Sequence, residues 1–275
     1  MQVADLYAYT GGRAFDPTLP CVVFVHGAQH DHSVWILQSR FLAHHGLGVL
    51  AFDLPGHGRS RPPLPTSVEG HAERIAAALA TLGSPRFLLV GHSMGALIAL
   101  ELARRLGARV AGVALLGAAF PMKVSDALLA ATRDDAAAAM QMINVWSHSP
   151  SIGPFAAKPS NPGPGFDIVW QNLRLMERIA RINGAEVLPT DFAACNDYVG
   201  GIEATQALRC PLLFFRGSED MMTPPKASRA LIDACSDSTV VTLPDTGHAM
   251  MAESPDGVRS ALHAFAQRVM VPTPA

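Results

Sequence analysis

The chain has 275 residues, 49% hydrophobic and 16% charged, with a formal net charge of -2. It is long and apolar enough for one large core with an insertion, which excludes a disordered chain. The near-neutral charge argues against nucleic acid or an anionic membrane as main partner, and no uninterrupted apolar stretch of about 18 residues marks a membrane span.

The opening residues Met1-Gln2-Val3-Ala4-Asp5 form neither a basic nor an apolar leader. Residues 21–26 and 48–53 read as strands. Helical periodicity runs over 68–82. An apolar run at 86–90 reads as a buried strand, and 96–103 as the helix after it. Strands are expected at 109–116, 211–216 and 239–243, with helices at 225–234 and 255–269. This alternation predicts an α/β fold whose sheet is mostly parallel and doubly wound, with helices on both faces and right-handed crossovers.

Between 120 and 205 the alternation stops. Helical patches at 127–131, 136–142 and 169–182 surround a loop over 149–165 that holds Pro150, Pro154, Pro159, Pro162 and Pro164. The expected organisation is a core of residues 1–119 and 206–275, with a helical lid over 120–205. The cysteines Cys21, Cys195, Cys210 and Cys235 lack any Cys-x-x-Cys spacing and read as buried free thiols of a reducing cytoplasm.

The chemistry centres on Gly91-His92-Ser93-Met94-Gly95, set between a strand and a helix. A serine on so tight a turn is strained, and bulky neighbours would clash, so glycines flank it. The turn lifts the hydroxyl above the sheet, beside N–H groups of the helix start. A hydroxyl needs a base. Of eleven histidines, His248 in Asp245-Thr246-Gly247-His248 follows the last predicted strand, at the same sheet end as Ser93. The imidazole needs a carboxylate to fix its tautomer. Asp220 after the 211–216 strand supplies it, with Glu219 and Asp245 as rivals. The backbone N–H groups of Ala28 and Met94 are the expected oxyanion donors. His26 and the Asp53-Leu54-Pro55-Gly56-His57-Gly58-Arg59-Ser60 loop read as structural. Gln29, Met140, Trp146 and Phe155 are expected to contact substrate, because methionine and aromatic groups suit an apolar pocket wall. His30 and His32 lie near the pocket mouth by position. No zinc-like spacing, Walker loop or dinucleotide loop occurs, so no metal or organic cofactor is expected.

Together these segments resemble the α/β-hydrolase superfamily over nearly the whole chain. Residues 91–95 look like its nucleophile elbow, His26-Gly27 its oxyanion strand end, and 53–60 its Asp-x-x-Gly-x-Gly-x-Ser loop. Residues 217–220 with Pro224, and Gly247-His248, look like the acid and base segments. The resemblance implies an eight-stranded sheet with a lid after the sixth strand. It also implies a leading hairpin, of which only 6–10 is visible. Serine at the elbow argues against haloalkane dehalogenases and epoxide hydrolases, which carry aspartate there, and against cysteine-dependent dienelactone hydrolases. Esterases, lactonases, thioesterases, C–C bond hydrolases and cofactor-free haloperoxidase-like enzymes remain. The expected activity is a serine hydrolase of a small or medium carboxylic ester or lactone, working through Ser93, His248 and Asp220. The alternatives are a C–C hydrolase of a ring-cleavage dienol and a non-catalytic small-molecule receptor. The expected partner is an ester-like small molecule, and a homo-oligomer is compatible with the sequence.

Overall fold

The computed structural model describes residues 1–83, 86–150 and 166–270. Its strands are β1 (Gln2–Val3), β2 (Leu6–Tyr9), β3 (Cys21–Val25), β4 (Gly48–Phe52), β5 (Phe87–His92), β6 (Val110–Leu116), β7 (Leu212–Gly217) and β8 (Ser238–Leu243). They form one sheet in the order β1-β2-β4-β3-β5-β6-β7-β8. The pairs β1/β2 and β2/β4 are antiparallel, and every pair from β4/β3 to β7/β8 is parallel. Eight strands, mostly parallel, match the expectation. The leading hairpin is present too. Its first strand has two residues, too few for any periodicity in the sequence to reveal.

Helices α1 (Ile36–His44), α2 (Val68–Ala80) and α3 (Met94–Leu106) follow β3, β4 and β5. Between β6 and β7 lie α4 (Asp126–Asp134), α5 (Ala136–Trp146), α6 (Phe166–Asn183), α7 (Val187–Asp197) and α8 (Gly201–Ala207). The chain then forms α9 (Arg229–Asp233), α10 (Met250–Glu253) and α11 (Pro255–Met270). The helical insertion therefore follows the sixth strand. Among the described residues no helix is long and apolar enough to cross a membrane.

Strands β3 to β6 are buried throughout, which explains why they read as unbroken apolar runs. Successive side chains point to opposite faces. Val23, Val25, Leu50, Phe52 and Leu89 pack with Ile75 and Leu97 of α2 and α3. Val22, Phe24, Ala51 and Val90 pack with Leu42 of α1 and with Leu262 and Phe265 of α11. The chain leaves β3 towards β4 on one side and returns to β5 on the other. The carboxyl ends of β3 and β5 thus flank a switch in winding, where an open α/β sheet leaves a crevice.

The inserted helices have a cluster of their own, built from Leu128, Ala139, Met140, Ile143, Leu188 and Phe192, with Ala28 and Met222 of the sheet loops against its edge. Helix α8 packs on α3, with Ala204 in the main core. Cys21 and Cys195 are buried free thiols, whereas Cys210 and Cys235 are free but only half-buried.

Candidate active site

Strand β5 ends at His92 and α3 begins at Met94, so Ser93 alone turns the chain, at φ 54 and ψ -120. A side chain at positive φ costs of order 1–3 kcal/mol and persists only where the surroundings fix it. The flanking glycines are obligatory. A Cβ at Gly91 would lie 2.1 Å from Gly95 O, and one at Gly95 would lie 2.3 Å from Val25 O. The Ser93 N–H donates to Leu116 O at 2.9 Å, which ties the elbow to the end of β6. Ser93 itself is half-buried.

Asp220 follows β7 and is buried. Its Oδ1 accepts the Thr223 N–H at 2.7 Å. Its Oδ2 accepts the Thr223 hydroxyl at 2.7 Å and His248 Nδ1–H at 2.8 Å. His248 follows β8 and is likewise buried. His92, next to Ser93, donates its Nε2–H to His248 O at 2.9 Å, and the two rings are 4.6 Å apart. Gly117, just past β6, makes room for the imidazole, since a Cβ there would meet His248 Nδ1 at 2.9 Å. Ser93, Asp220 and His248 thus gather at one end of the sheet. Among the described residues, Ser93 and His248 are neighbours through His92 and not hydrogen-bonded to one another. The other carboxylates face elsewhere. Glu219 accepts the Ser149 hydroxyl, and Asp245 is exposed. Thr223 is a contact to the acid that sequence reasoning passed over. Its signal was its position three residues past Asp220.

After β3, Gly27 lies hard against the elbow. A Cβ on it would sit 3.2 Å from Ser93 Cβ. Ala28 follows, half-buried. Met94 is the first residue of α3, where N–H groups have no partner within the helix. His26 is buried and bonds backbone on both nitrogens, to Gly27 O at 2.8 Å and to Leu54 N–H at 2.9 Å. Burial, reinforced by the nearby His57, holds its pKa well below the ordinary histidine value. Asp53 organises its loop by accepting N–H groups of His32 and Arg59, both at 2.8 Å, while Ser60 caps its carbonyl. His32 turns to this carboxylate at 2.6 Å. Asp31, His32 and Asp53 could offer ligand atoms within 4.8 Å of one another. Their carboxylate oxygens, however, already accept Ser33, Arg178, His32 and Arg59 donors, so the cluster is a hydrogen-bond junction.

Gln29 is buried at φ 57. Its N–H donates to Asp191 Oδ2 at 2.8 Å and its side-chain amide to Met176 O at 3.0 Å. Met140 and Trp146 belong to the inserted helices' own cluster. Phe155 lies outside the described residues. A cavity of about 500 Å³ opens beside His248 and His92. Its walls come from Val34, Ile36 and Leu37 near the start of α1, from Met251 of α10, and from α6. The α6 residues are Ile168, Gln171, Asn172 and Leu175, spaced as one helix face. That spacing is visible in the sequence and was the signal for this wall. His30 and His148 also line it. Among the described residues no Asp, Glu, Lys or Arg does, and Ser93 is not among the lining residues although both its neighbours His92 and His248 are. Burial is the main cause that lowers the pKa of His30 to about 4, so its ring is neutral near pH 7.

A family model described as alpha/beta hydrolase family matches residues 22–261. The Klebsiella pneumoniae protein provisionally named carbamate hydrolase RutD is 26% identical over 270 residues, covering 90% of this chain and 91% of that protein. Among solved structures, the esterase EaEST from Exiguobacterium antarcticum superposes with a TM-score of 0.79 at 17% identity, covering 95% of this chain and 94% of the other. The enol-lactonase from Burkholderia xenovorans LB400 also gives a TM-score of 0.79, at 20% identity, covering 95% of this chain and 96% of its own.

Proposed function

The chain belongs to the alpha/beta hydrolase family and is an enzyme of the hydrolase type; from that premise we propose that it cleaves a small or medium carboxylic ester or lactone through a serine acyl-enzyme. The observation that carries this reading is the 2.8 Å contact between Asp220 Oδ2 and His248 Nδ1 beside an elbow serine held at φ 54.

Ser93 Oγ attacks the carbonyl carbon and its proton passes to His248 Nε2. Asp220 keeps the other ring proton on Nδ1 and stabilises the imidazolium. The N–H groups of Ala28 and Met94 receive the oxyanion. The Ser93 N–H is already spent on Leu116 O, which leaves the next residue as the donor. Each donor is typically worth about 3 kcal/mol in the transition state. Collapse of the tetrahedral intermediate expels the alcohol, protonated by His248. His248 then takes a proton from the water that attacks the acyl-enzyme and returns it to Ser93 Oγ as the acid leaves. The described walls of the cavity hold no Asp, Glu, Lys or Arg, which supports an uncharged acyl or alcohol group. The reactions that the relatives' names imply, carbamate, ester and lactone hydrolysis, all begin with attack at a carbonyl of this kind. Free cysteines fit a reducing, cytoplasmic setting.

A fluorophosphonate tests this directly. Intact mass and peptide mapping should show one adduct, on Ser93, absent from Ser93→Ala and His248→Ala. A folded wild-type protein that takes no label, or takes it elsewhere, overturns the reading.

A further inference from the structure

The loop that carries Ala28 is held from the lid by one buried carboxylate. Asp191 of α7 is fully buried, and its Oδ2 accepts two donors: the Gln29 N–H at 2.8 Å and His57 Nε2–H at 2.9 Å. His57 Nδ1 faces Pro55 O at 3.2 Å. The Pro55 carbonyl can only accept, so Nδ1 carries a proton, and with Asp191 ionised Nε2 carries one too, which makes the ring doubly protonated and cationic. Burial opposes that charge, but the charge and hydrogen bond of Asp191, with the Pro55 carbonyl and Asp53, outweigh it and hold the His57 pKa above the ordinary value. The group sits in a histidine cluster. The His26 ring lies 5.2 Å from His57 and the His71 ring 6.0 Å away.

A buried ion pair is expensive to assemble and is weak evidence of stability for its own sake. This one ends on the peptide next to Ala28. Gly27 on one side is wedged against Ser93, and Gln29 on the other is held at φ 57 by Asp191. Gln29 is pinned a second time, through its side chain, to Met176 O of α6. The peptides on either side of Ala28 are thereby fixed, and with them the direction of the Ala28 N–H.

We propose that Asp191, charged and paired with His57, is the positioning residue of the oxyanion hole: the lid sets the Ala28 N–H by holding the Gln29 N–H. This rests on the serine hydrolase reading above. The consequence is that closure of the lid helices on the sheet domain completes the catalytic site as well as covering it. An oxyanion donor works because it is fixed before charge develops, so loosening it should lower kcat and leave substrate binding nearly unchanged.

Two double variants separate the hydrogen bond from the charge. Asp191→Leu/His57→Phe removes the acceptor without stranding a buried charge. Asp191→Asn/His57→Gln removes both charges and keeps an oxygen for Gln29. The expected result for the first is a fall in kcat of roughly 10²–10³ with KM within about 3-fold, and a parallel loss of affinity for a trifluoromethyl ketone that mimics the tetrahedral intermediate. The second should recover most of the lost kcat. A folded Asp191→Leu/His57→Phe protein with kcat within about 3-fold of wild type overturns the proposal, as does a fall in kcat with no loss of ketone affinity. Should that variant fail to fold, hydrogen exchange on the wild type decides. The Gln29 amide should be as protected as the amides of β3, and rapid exchange there refutes the proposal. Wild-type protein that neither hydrolyses p-nitrophenyl acetate nor labels on Ser93, yet protects the Gln29 amide, sinks the serine hydrolase reading and with it the role of this link.

Discussion

At the residue scale, the site is a set of atoms forced into place by neighbours that allow no alternative. Ser93 keeps its strained backbone because Gly91 and Gly95 let β5 and α3 approach within distances no Cβ tolerates. Asp220 was one of three nearby carboxylates compatible with the spacing. Geometry separates them, because only Asp220 meets His248. Asp220→Asn keeps the shape and presents the wrong hydrogen-bonding partner to Nδ1. It should lower kcat by about 10³–10⁴ with little change in KM, read from steady-state hydrolysis of a p-nitrophenyl ester. Thr223→Val removes only a hydroxyl that braces the carboxylate, and the loss should stay at about 10-fold or less. Equal losses in the two variants would mean that Asp220 merely braces its own loop.

At the element scale, α6 links the inserted helices to the cavity beside His248. Its half-buried face carries Leu175 and Asn172 into the cavity wall, and Asn172 joins a directed chain. His30 Nε2–H donates to Asn172 Oδ1 at 3.1 Å, Asn172 Nδ2 donates to Asn144 Oδ1 at 2.8 Å, and Asn144 Nδ2 donates to Val169 O at 3.1 Å. The final carbonyl can only accept, so it sets the orientation of every amide before it. Leu175→Phe adds bulk to this wall. Relative to the acetyl ester, kcat/KM for a longer acyl or alkyl chain should fall by at least about 10-fold, as one or two methylenes lose their space. An unchanged chain-length profile would place the substrate elsewhere. The residues 168, 171, 172 and 175 were legible as a helix face. Which way that face points was not, because a helix with its own apolar partners in α5 can turn either side to the sheet.

At the scale of the whole molecule, the buried histidines make stability depend on pH. Burial lowers the pKa of both His30 and His71 to about 4, against 6.5 for an unperturbed ring. His26 and His92 are also held well below the ordinary value, by burial first and neighbouring histidines second. Such groups bind fewer protons folded than unfolded. Their contribution is present above about pH 6.5 and is lost as pH falls towards their folded values. His57 has the opposite sign. Its contribution is present below about 6.5 and is lost as pH rises through its raised folded pKa. The lowered groups outnumber it, so the urea midpoint should drop between pH 7 and pH 5. His30 and His71 would each account for on the order of 2 kcal/mol. A midpoint that holds or rises on acidification would mean that these rings are protonated in the folded protein.

The sequence by itself determined the strand and helix alternation, the insertion after β6 and the elbow at Ser93. Those features rest on local rules: unbroken apolar runs for strands buried on both faces, helical periodicity, and glycines where a turn leaves no room for a side chain. It also narrowed the acid and base to loops at the right sheet end, because parallel strands carry their loops to a common edge. Only the tertiary structure set Asp220 rather than Glu219 against His248, assembled the cavity from α1, α6 and α10, and joined Asp191 to the peptide after Ala28. The Gln29 and Asp191 contact spans 162 positions of chain. No local pattern encodes a contact between groups so distant in sequence. It exists because the inserted helices pack where they do, and their packing is a property of the whole fold.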